Sequence, residues 1–582
     1  MDFNELADKI VSDLRSGSFA IWCGAGISIP SGLPKADDLV KALLLNTRLK
    51  PDEQERISEI VPSKLPFERL MEIVLGTMDN VAQKQLLDLF SIGSSSIFHQ
   101  FLARLARLGM LKIICTTNFD THIETALDDE GLKRGKDYDV YQSIEQFGEI
   151  DWNYNIIRVI KLHGSVELPE KLAVTVRRVA SPGSVPQVHG PVRHVFGNGS
   201  HVGVLVMGYS FSDRFDISPV ITQTGVSGSN KQIINLHFTL PKDKDFKIDK
   251  IKNDSNNIHP LAVYENHLCL YGDSEEVVKE LCQRLGFNNL DISNPIPHWK
   301  SFLENFFKKL DERHNCIAGH YIAGSLLTMI GSDHDAIPYF AYVDDITKKA
   351  ENDRWKLIAL QSLAGAFIRV GDVDNGLNAL RKAEPLASEL EEGNFSDHVR
   401  TQFGSIYSQI GNTSFQHSLK FHNSALEVAK KSGDSMRCVP HLSGIADCWM
   451  KLGDIDAAKK AYEYALRIVE NSGDLYRKAE VYGNIGSMAY ILRDYTSALE
   501  WYEKAQKTSL LCGDTEREGI HTMNLANVYI KINQYENAFD CYSKARKILE
   551  GIWTNHSILQ ILDKHEQQAK RLFEKNQQSS QK

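Results

Sequence analysis

One register dominates the C-terminal half of this chain: alanine, tyrosine and alanine at fixed offsets, returning every 40 residues. Ala458, Tyr462 and Ala465 are followed by Ala498, Tyr502 and Ala505, then by Ala538, Tyr542 and Ala545. Offsets of four and three residues place each trio on one face of a helix. A weaker copy, Ser418, His422 and Ala425, lies 40 residues upstream, and Gly376 and Ala383 continue the register with a two-residue slip. In the preceding helices Ala446, Gly486 and Ala526 keep the same period. Small residues at fixed points let two helices approach closely, and the aromatic ring fills the gap between neighbouring pairs. Gly453-Asp454, Arg493-Asp494 and Asn533-Gln534 mark the turn inside each pair. Such a chain stacks helix pairs, because each repeat buries its apolar face only against its neighbours.

This half resembles the tetratricopeptide repeat, whose usual period is about 34 residues. The longer period implies helices extended by most of a turn each. The resemblance implies an all-α solenoid over residues 298–565 that offers an interaction surface to a protein trigger or partner. A polar, Gln- and Lys-rich tail, 566–582, follows as a frayed helix or free end.

Residues 1–290 are written differently. Apolar runs at Phe19–Cys23, Leu111–Cys115, Ile156–Leu162, Val202–Met207, Ile233–Leu236 and Leu268–Tyr271 alternate with helical stretches. Continuous Val/Ile/Leu runs separated by helices predict a Rossmann-like α/β domain with a parallel sheet covered on both faces. Ligands bind such sheets beyond the carboxyl ends of the strands, so the chemistry belongs just after each run. The nine cysteines form no C-x-x-C pair, which speaks against a zinc knuckle or disulfide framework. A net charge of -9 gives no indication of nucleic-acid binding. The acidic start and the lack of a long apolar run predict a soluble, cytoplasmic protein without a membrane partner.

The strand ends carry the candidate site. Phe19–Cys23 leads into Gly24-Ala25-Gly26-Ile27-Ser28, where glycines let the backbone approach a pyrophosphate; a plain tight turn explains the pair equally well. Ile29 stands where a dinucleotide fingerprint has its third glycine, and Ser31-Gly32-Leu33-Pro34 forms a second loop close behind. Thr117-Asn118-Phe119-Asp120 delivers an amide and a carboxylate into one loop, unless Asn118 or Asp120 simply caps the next helix. Leu162-His163-Gly164 puts a histidine at a strand end, as base or as structural residue. Gly208-Tyr209-Ser210, Asn235-Leu236 and Gly272-Asp273 complete the set.

In this order the motifs resemble the sirtuin family, over roughly residues 15–285. Gly24-Ala25-Gly26-Ile27-Ser28 with Ser31-Gly32-Leu33-Pro34 is similar to its NAD-binding G-A-G-x-S…S-G-I-P stretch, and Thr117-Asn118-Phe119-Asp120 to Q-N-x-D. Leu162-His163-Gly164 is similar to the catalytic L-H-G, Gly208-Tyr209-Ser210 to G-T-S, and Asn235-Leu236 to the ribose contact. The resemblance implies Asn118, Asp120 and His163 as catalytic residues. It implies Gly24, Ala25, Gly26, Ser28, Pro34, Thr117, Gly208, Tyr209, Ser210, Asn235 and Asp273 as NAD contacts. The four zinc cysteines of protein-deacylating sirtuins are missing, since no cysteine lies between Gly164 and Gly208. Lys35-Ala36-Asp37-Asp38 replaces the Asp-Phe-Arg stretch. With these departures the chain looks like the bacterial sirtuin-like NADases of antiphage defence. That resemblance implies an NAD+ hydrolase with NAD as substrate and no metal, a homo-oligomer, acting in abortive infection under control of its repeats. An NAD-dependent deacylase, a non-catalytic NAD or ADP-ribose sensor and an ADP-ribosyl transferase are the competing readings.

Overall fold

A computed structural model describes residues 2–45, 80–153, 155–168, 185–211, 217–239, 246–251, 259–288, 298–309, 312–329, 332–350, 353–389, 415–431, 435–471, 474–511, 514–550 and 557–580. Positions 50–52, 55, 71, 74–75, 172, 290, 403–404 and 406 are described besides. Two compact units divide the chain: Met1–Asn46 with Pro66–Leu310, and Thr47–Leu65 with Asp311–Lys582.

The first unit is built on an eight-stranded sheet. Its strands are β1 (Phe19–Cys23), β2 (Ile113–Thr116), β3 (Tyr138–Tyr141), β4 (Ile157–Lys161), β5 (Gly203–Met207), β6 (Gln232–Phe238), β7 (Lys247–Asp249) and β8 (His267–Gly272). Their spatial order is β3-β4-β2-β1-β5-β6-β8-β7. All pairings are parallel except β7 on β8. Without β3 and β7 this is the doubly wound order 3-2-1-4-5-6, whose direction reverses between β1 and β5 and so opens a crevice at their carboxyl ends.

Strand alternation sorts the core into two layers. Ile21, Cys23, Leu205, Met207, Ile234 and Leu236 face one cluster, which is covered by α1 (Phe3–Arg15), α2 (Ile97–Arg107), α3 (His122–Asp129) and α6 (Ser274–Leu285). Ala20, Trp22, Val204, Val206 and Ile233 face the other, under α4 (Val185–Arg193) and α5 (Ile217–Val226). Because β1 and β5 are buried along their whole length, they read as unbroken apolar runs in the sequence; β4, equally buried, carries Arg158 and Lys161 in its run. The two strands that no such run announces, β3 and β7, are the edges; β7, Lys-Ile-Asp, is mostly exposed and charged.

In the second unit the 40-residue register becomes helix pairs. Cys438–Leu452 pairs with Ile455–Glu470, Leu475–Ile491 with Tyr495–Leu511, and Thr515–Lys531 with Tyr535–Glu550. Ala458, Ala498 and Ala538 are fully buried, as are Ala465, Ala505 and Ala545. The tyrosines between them are buried too, with their hydroxyls bonded 15 residues back: Tyr462 to Asp447, Tyr502 to Ser487 at 2.9 Å, Tyr542 to Asn527 at 2.7 Å. The turns sit where the register placed them, with Gly453, Arg493 and Asn533 all left-handed at φ of 87°, 62° and 61°. Asp474 and Asp514 cap the first helix of successive pairs through the amides of Arg477 and Arg517. Of the segment 566–582, expected as a frayed helix or free end, residues 566–580 continue a helix, Ser557–Ser580, with Ala569 buried in the adjoining apolar cluster, and 581–582 lie outside the described residues. Among the described residues no helix is long and apolar enough to cross a membrane.

Candidate active site

The loops after β1 and β5 meet across the switch point. Gly24 N donates to Met207 O at 3.0 Å and Gly26 N to Gly208 O at 2.8 Å. A Cβ at Gly24 would stand 2.6 Å from Gly208 O, and one at Gly26 would stand 2.6 Å from Gly208 Cα. Gly208 itself is left-handed at φ 63°. The glycines are thus required by the seam between two loops, and two of the amides expected to cradle a phosphate are already bonded there. On the same turn, Ala25 is exposed and Gly26 half-buried.

Ser28 closes the turn and points inward, not toward the loop surface. Its Oγ donates to Asp120 Oδ2 at 2.8 Å and accepts from Asn118 Nδ2 at 3.0 Å. These bonds join the end of β1 to the loop after β2. Asn118 Oδ1 is buried with no partner among the described residues, so the side chain keeps one acceptor for a ligand. Asp120 Oδ1 accepts from His122 N at 3.1 Å, so the capping role is real, but it occupies only one of the two carboxylate oxygens. Burial pushes the Asp120 carboxyl up. The charges available to His122 and His99, the Lys161 ammonium and the Ser28 hydroxyl together outweigh burial and hold it below the usual value.

His163 follows β4 at the same level. Leu162 N donates to Thr116 O at 2.9 Å and Val166 N to Phe119 O at 3.0 Å, tying its loop to the β2 loop. The imidazole is buried, with the Phe119 ring 6.3 Å away and nearly parallel. The loops that carry Asn118 and Asp120 and that carry His163 therefore adjoin at the ends of the paired strands β2 and β4. Thr117 N donates to Cys23 O at 3.2 Å, and Pro34 is half-buried behind Leu33, whose amide reaches Ser28 O.

The remaining expected contacts divide. Ser210 is exposed beyond Gly208, on the rim. The Tyr209 ring packs edge-on against Trp22 and Phe211 in the second core layer, which leaves its backbone nearer the crevice than its side chain. Asn235 lies within β6, level with Val206, its Nδ2 3.5 Å from Cys269 Sγ and its Oδ1 buried without a partner among the described residues. Asp273 caps α6, accepting from Glu275 N at 2.9 Å.

Three residues of the site carry no motif. His99 on α2 lies 3.4 Å from Ser28 Oγ through Nε2, while its Nδ1 accepts from Ser96 N at 3.0 Å. Burial lowers its pKa to about 4, so the ring is neutral at pH 7. Lys161 and Glu124 form a buried ion pair at 2.8 Å beneath Asp120. Lys161 did leave a signal: a charge inside the apolar run Val159-Ile160-Lys161-Leu162.

Two family models match parts of the chain. A family model described as SIR2-like domain matches residues 112–258, and one described as tetratricopeptide repeat matches 438–510 and 477–551. The chain carries a SIR2-like domain and tetratricopeptide repeats. The SIR2-like match begins at β2, so the glycine turn after β1 lies outside it. The chain is 24% identical over 328 residues to NAD(+) hydrolase ThsA of Acinetobacter baumannii (strain 532279), covering 53% of this chain and 62% of that protein. It thus spans less than two thirds of the curated relative. Among solved structures, BtubC (BKLC) from P. vanneervenii is 17% identical over 38% of this chain and 92% of its own, with a TM-score of 0.31. A Rap protein complexed with competence and sporulation factor is 16% identical over 43% and 70%, with a TM-score of 0.34. Among the described residues no group of histidine, cysteine, aspartate and glutamate could hold a metal ion.

Proposed function

We propose that the SIR2-like domain hydrolyses NAD+ to nicotinamide and ADP-ribose. The observation that supports this most is Asn118 Oδ1, buried without a partner among the described residues beside an ionised Asp120, on a loop bonded to the one that carries His163. The name of the A. baumannii relative, an NAD(+) hydrolase, points the same way.

The reaction breaks the bond between nicotinamide nitrogen and the ribose anomeric carbon, and the electron pair leaves with the nitrogen and cancels its positive charge. The ribosyl group gains oxocarbenium character, as in glycoside hydrolysis. A buried carboxylate supports that cation from a site where charges are weakly screened. Asn118 Oδ1 accepts from the nicotinamide amide or the attacking water, and Ser28 fixes its orientation. His163 takes the proton water loses on adding to the anomeric carbon, a role worth about 10²–10⁴-fold. Exposed Ala25 meets the pyrophosphate on the rim, and Ser210 and Asn235 serve the adenosine side.

NAD loss in antiphage abortive infection, in the bacterial cytoplasm, is the cellular role we assign, with the repeats binding a trigger or assembling a homo-oligomer that switches turnover on. The test is NAD consumption by the purified chain beside Asn118→Ala and His163→Ala. Loss of NAD with release of free ADP-ribose, abolished in both variants, supports the reading. NAD-dependent removal of an acyl group from a peptide would replace it with the deacylase, and binding without turnover with a sensor.

A further inference from the structure

The residue that unites the two catalytic loops is one no motif marks. Lys161 ends β4 and is completely buried. Its ammonium has three hydrogens and three acceptors: the backbone oxygen of Asp120, Glu124 Oε1 at 2.8 Å and Ser165 Oγ at 3.0 Å. Asp120 belongs to the loop after β2, Glu124 to α3, and Ser165 to the loop after β4, two residues beyond His163. One point charge therefore holds the Asn118–Asp120 loop, the helix behind it and the His163 loop together.

We propose that Lys161, neutralised by Glu124, is a positioning residue that sets where Asn118 and Asp120 stand relative to His163; this rests on the NAD+ hydrolase reading above. A buried ammonium is costly to place in a strand, and a methionine or leucine would fill the same volume without desolvating a charge. What the apolar residues cannot do is grip a carbonyl, a carboxylate and a hydroxyl from three segments at once. The backbone bonds Leu162 N to Thr116 O and Val166 N to Phe119 O join the main chains of these loops. Lys161 adds a side-chain tie that reaches Asp120 itself and, through Glu124, the helix behind it.

The same ammonium faces Asp120 electrically. Asp120 is approached by Lys161 from β4, by His99 from α2, by His122 from α3 and by the Cys23 thiol from β1. Removing Lys161 takes a positive charge from this set, and in the single variant Glu124 is left as an unpaired acid close by.

The variants are Lys161→Met and the double variant Lys161→Met with Glu124→Gln; the double one leaves no orphan charge and keeps the test valid where the single one misfolds. Steady-state NAD turnover across pH is read beside calorimetric titration with ADP-ribose. The double variant is expected to bind ADP-ribose within threefold of the parent (about the scatter of such titrations) while kcat falls about 10²-fold, the effect of a misplacement on the order of 1 Å. Its acidic limb is also expected to move to higher pH. Parental kcat and an unmoved limb in a folded double variant overturn the proposal. Loss of ADP-ribose binding in step with loss of thermal stability also overturns it, because Lys161 would then serve the fold alone. A parent that leaves NAD intact under every condition overturns the hydrolase reading and this proposal with it, whereas an active parent with an equally active double variant overturns this proposal alone.

Discussion

Gly26→Ala separates two explanations of the glycine turn. If Gly26 exists only to admit a pyrophosphate, alanine there weakens nucleotide binding and leaves the fold alone. In the structure the added methyl would meet backbone first, 2.6 Å from Gly208 Cα and 2.8 Å from Gly208 O. Carbon atoms rest at about 3.5–4.0 Å, so one loop must retreat by about 1 Å. That retreat stretches the Gly26 N–Gly208 O bond from 2.8 Å to a length at which it no longer counts. Overpacking costs about 1–3 kcal/mol, and a buried pair left unsatisfied about 1–3 kcal/mol more. The expected destabilisation is therefore about 2–6 kcal/mol, measured by denaturant unfolding in the absence of nucleotide. Gly148→Ala is the control, since its nearest neighbour would be 3.9 Å away, and it should change stability by less than about 0.5 kcal/mol. Unfolding of Gly26→Ala that matches the parent, with weakened ADP-ribose binding, would refute the seam and restore the phosphate explanation.

Three further outcomes are expected. Stability should fall as pH drops from about 6.5 to 4, because His99, His422 and His521 are buried and lowered to about 4. The unfolded state then takes up protons first, each fully buried ring losing up to about 3 kcal/mol of its contribution by pH 4; His521→Leu should flatten the slope, and an unchanged slope would contradict it. Arg493→Gly should stabilise the repeat unit by about 0.5–1 kcal/mol in thermal unfolding, since arginine holds φ 62° where Gly453 holds φ 87° one repeat earlier. Tyr542→Phe should cost about 0.5–1.5 kcal/mol through loss of the 2.7 Å bond to Asn527, and a neutral result would show that water replaces it.

How much of this was legible depends on how locally each feature is encoded. Central strands announce themselves because both faces are buried, so β1 was readable to the residue from Phe-Ala-Ile-Trp-Cys. The edge strand β7 is three residues with two charges, and its pairing to β8 depends on partners 20 to 24 residues away rather than on its own pattern. The repeat turns were readable because one register position, 453, 493 and 533, must turn left-handed in every pair. In the site, Asn118, Asp120 and His163 were visible as polar residues at strand ends. Ser28 was visible too, but its direction was not: whether a hydroxyl meets a phosphate or a carboxylate 92 residues later is decided by the sheet order. His99 was invisible for the same reason, sitting in an amphipathic helix whose remaining pattern is ordinary.

The charge balance of the crevice follows from these placements and argues for a cationic transition state. Lys161 and Glu124 pair at 2.8 Å and together add no net charge, while Lys161 is one of the groups that hold Asp120 below its usual value and so ionised. His99 contributes none at pH 7, since its burial keeps it neutral. A buried carboxylate braced by Ser28 and the His122 amide disfavours an anionic intermediate and favours a ribosyl cation. An Asp120→Asn variant keeps the volume and the bond to Ser28 in altered polarity but removes that charge. It should therefore bind ADP-ribose nearly as the parent does while kcat falls about 10²–10³-fold. If Asp120→Asn instead turned over NAD at the parental rate, the carboxylate would be a helix cap and nothing more, and the electrostatic account of the crevice would fail.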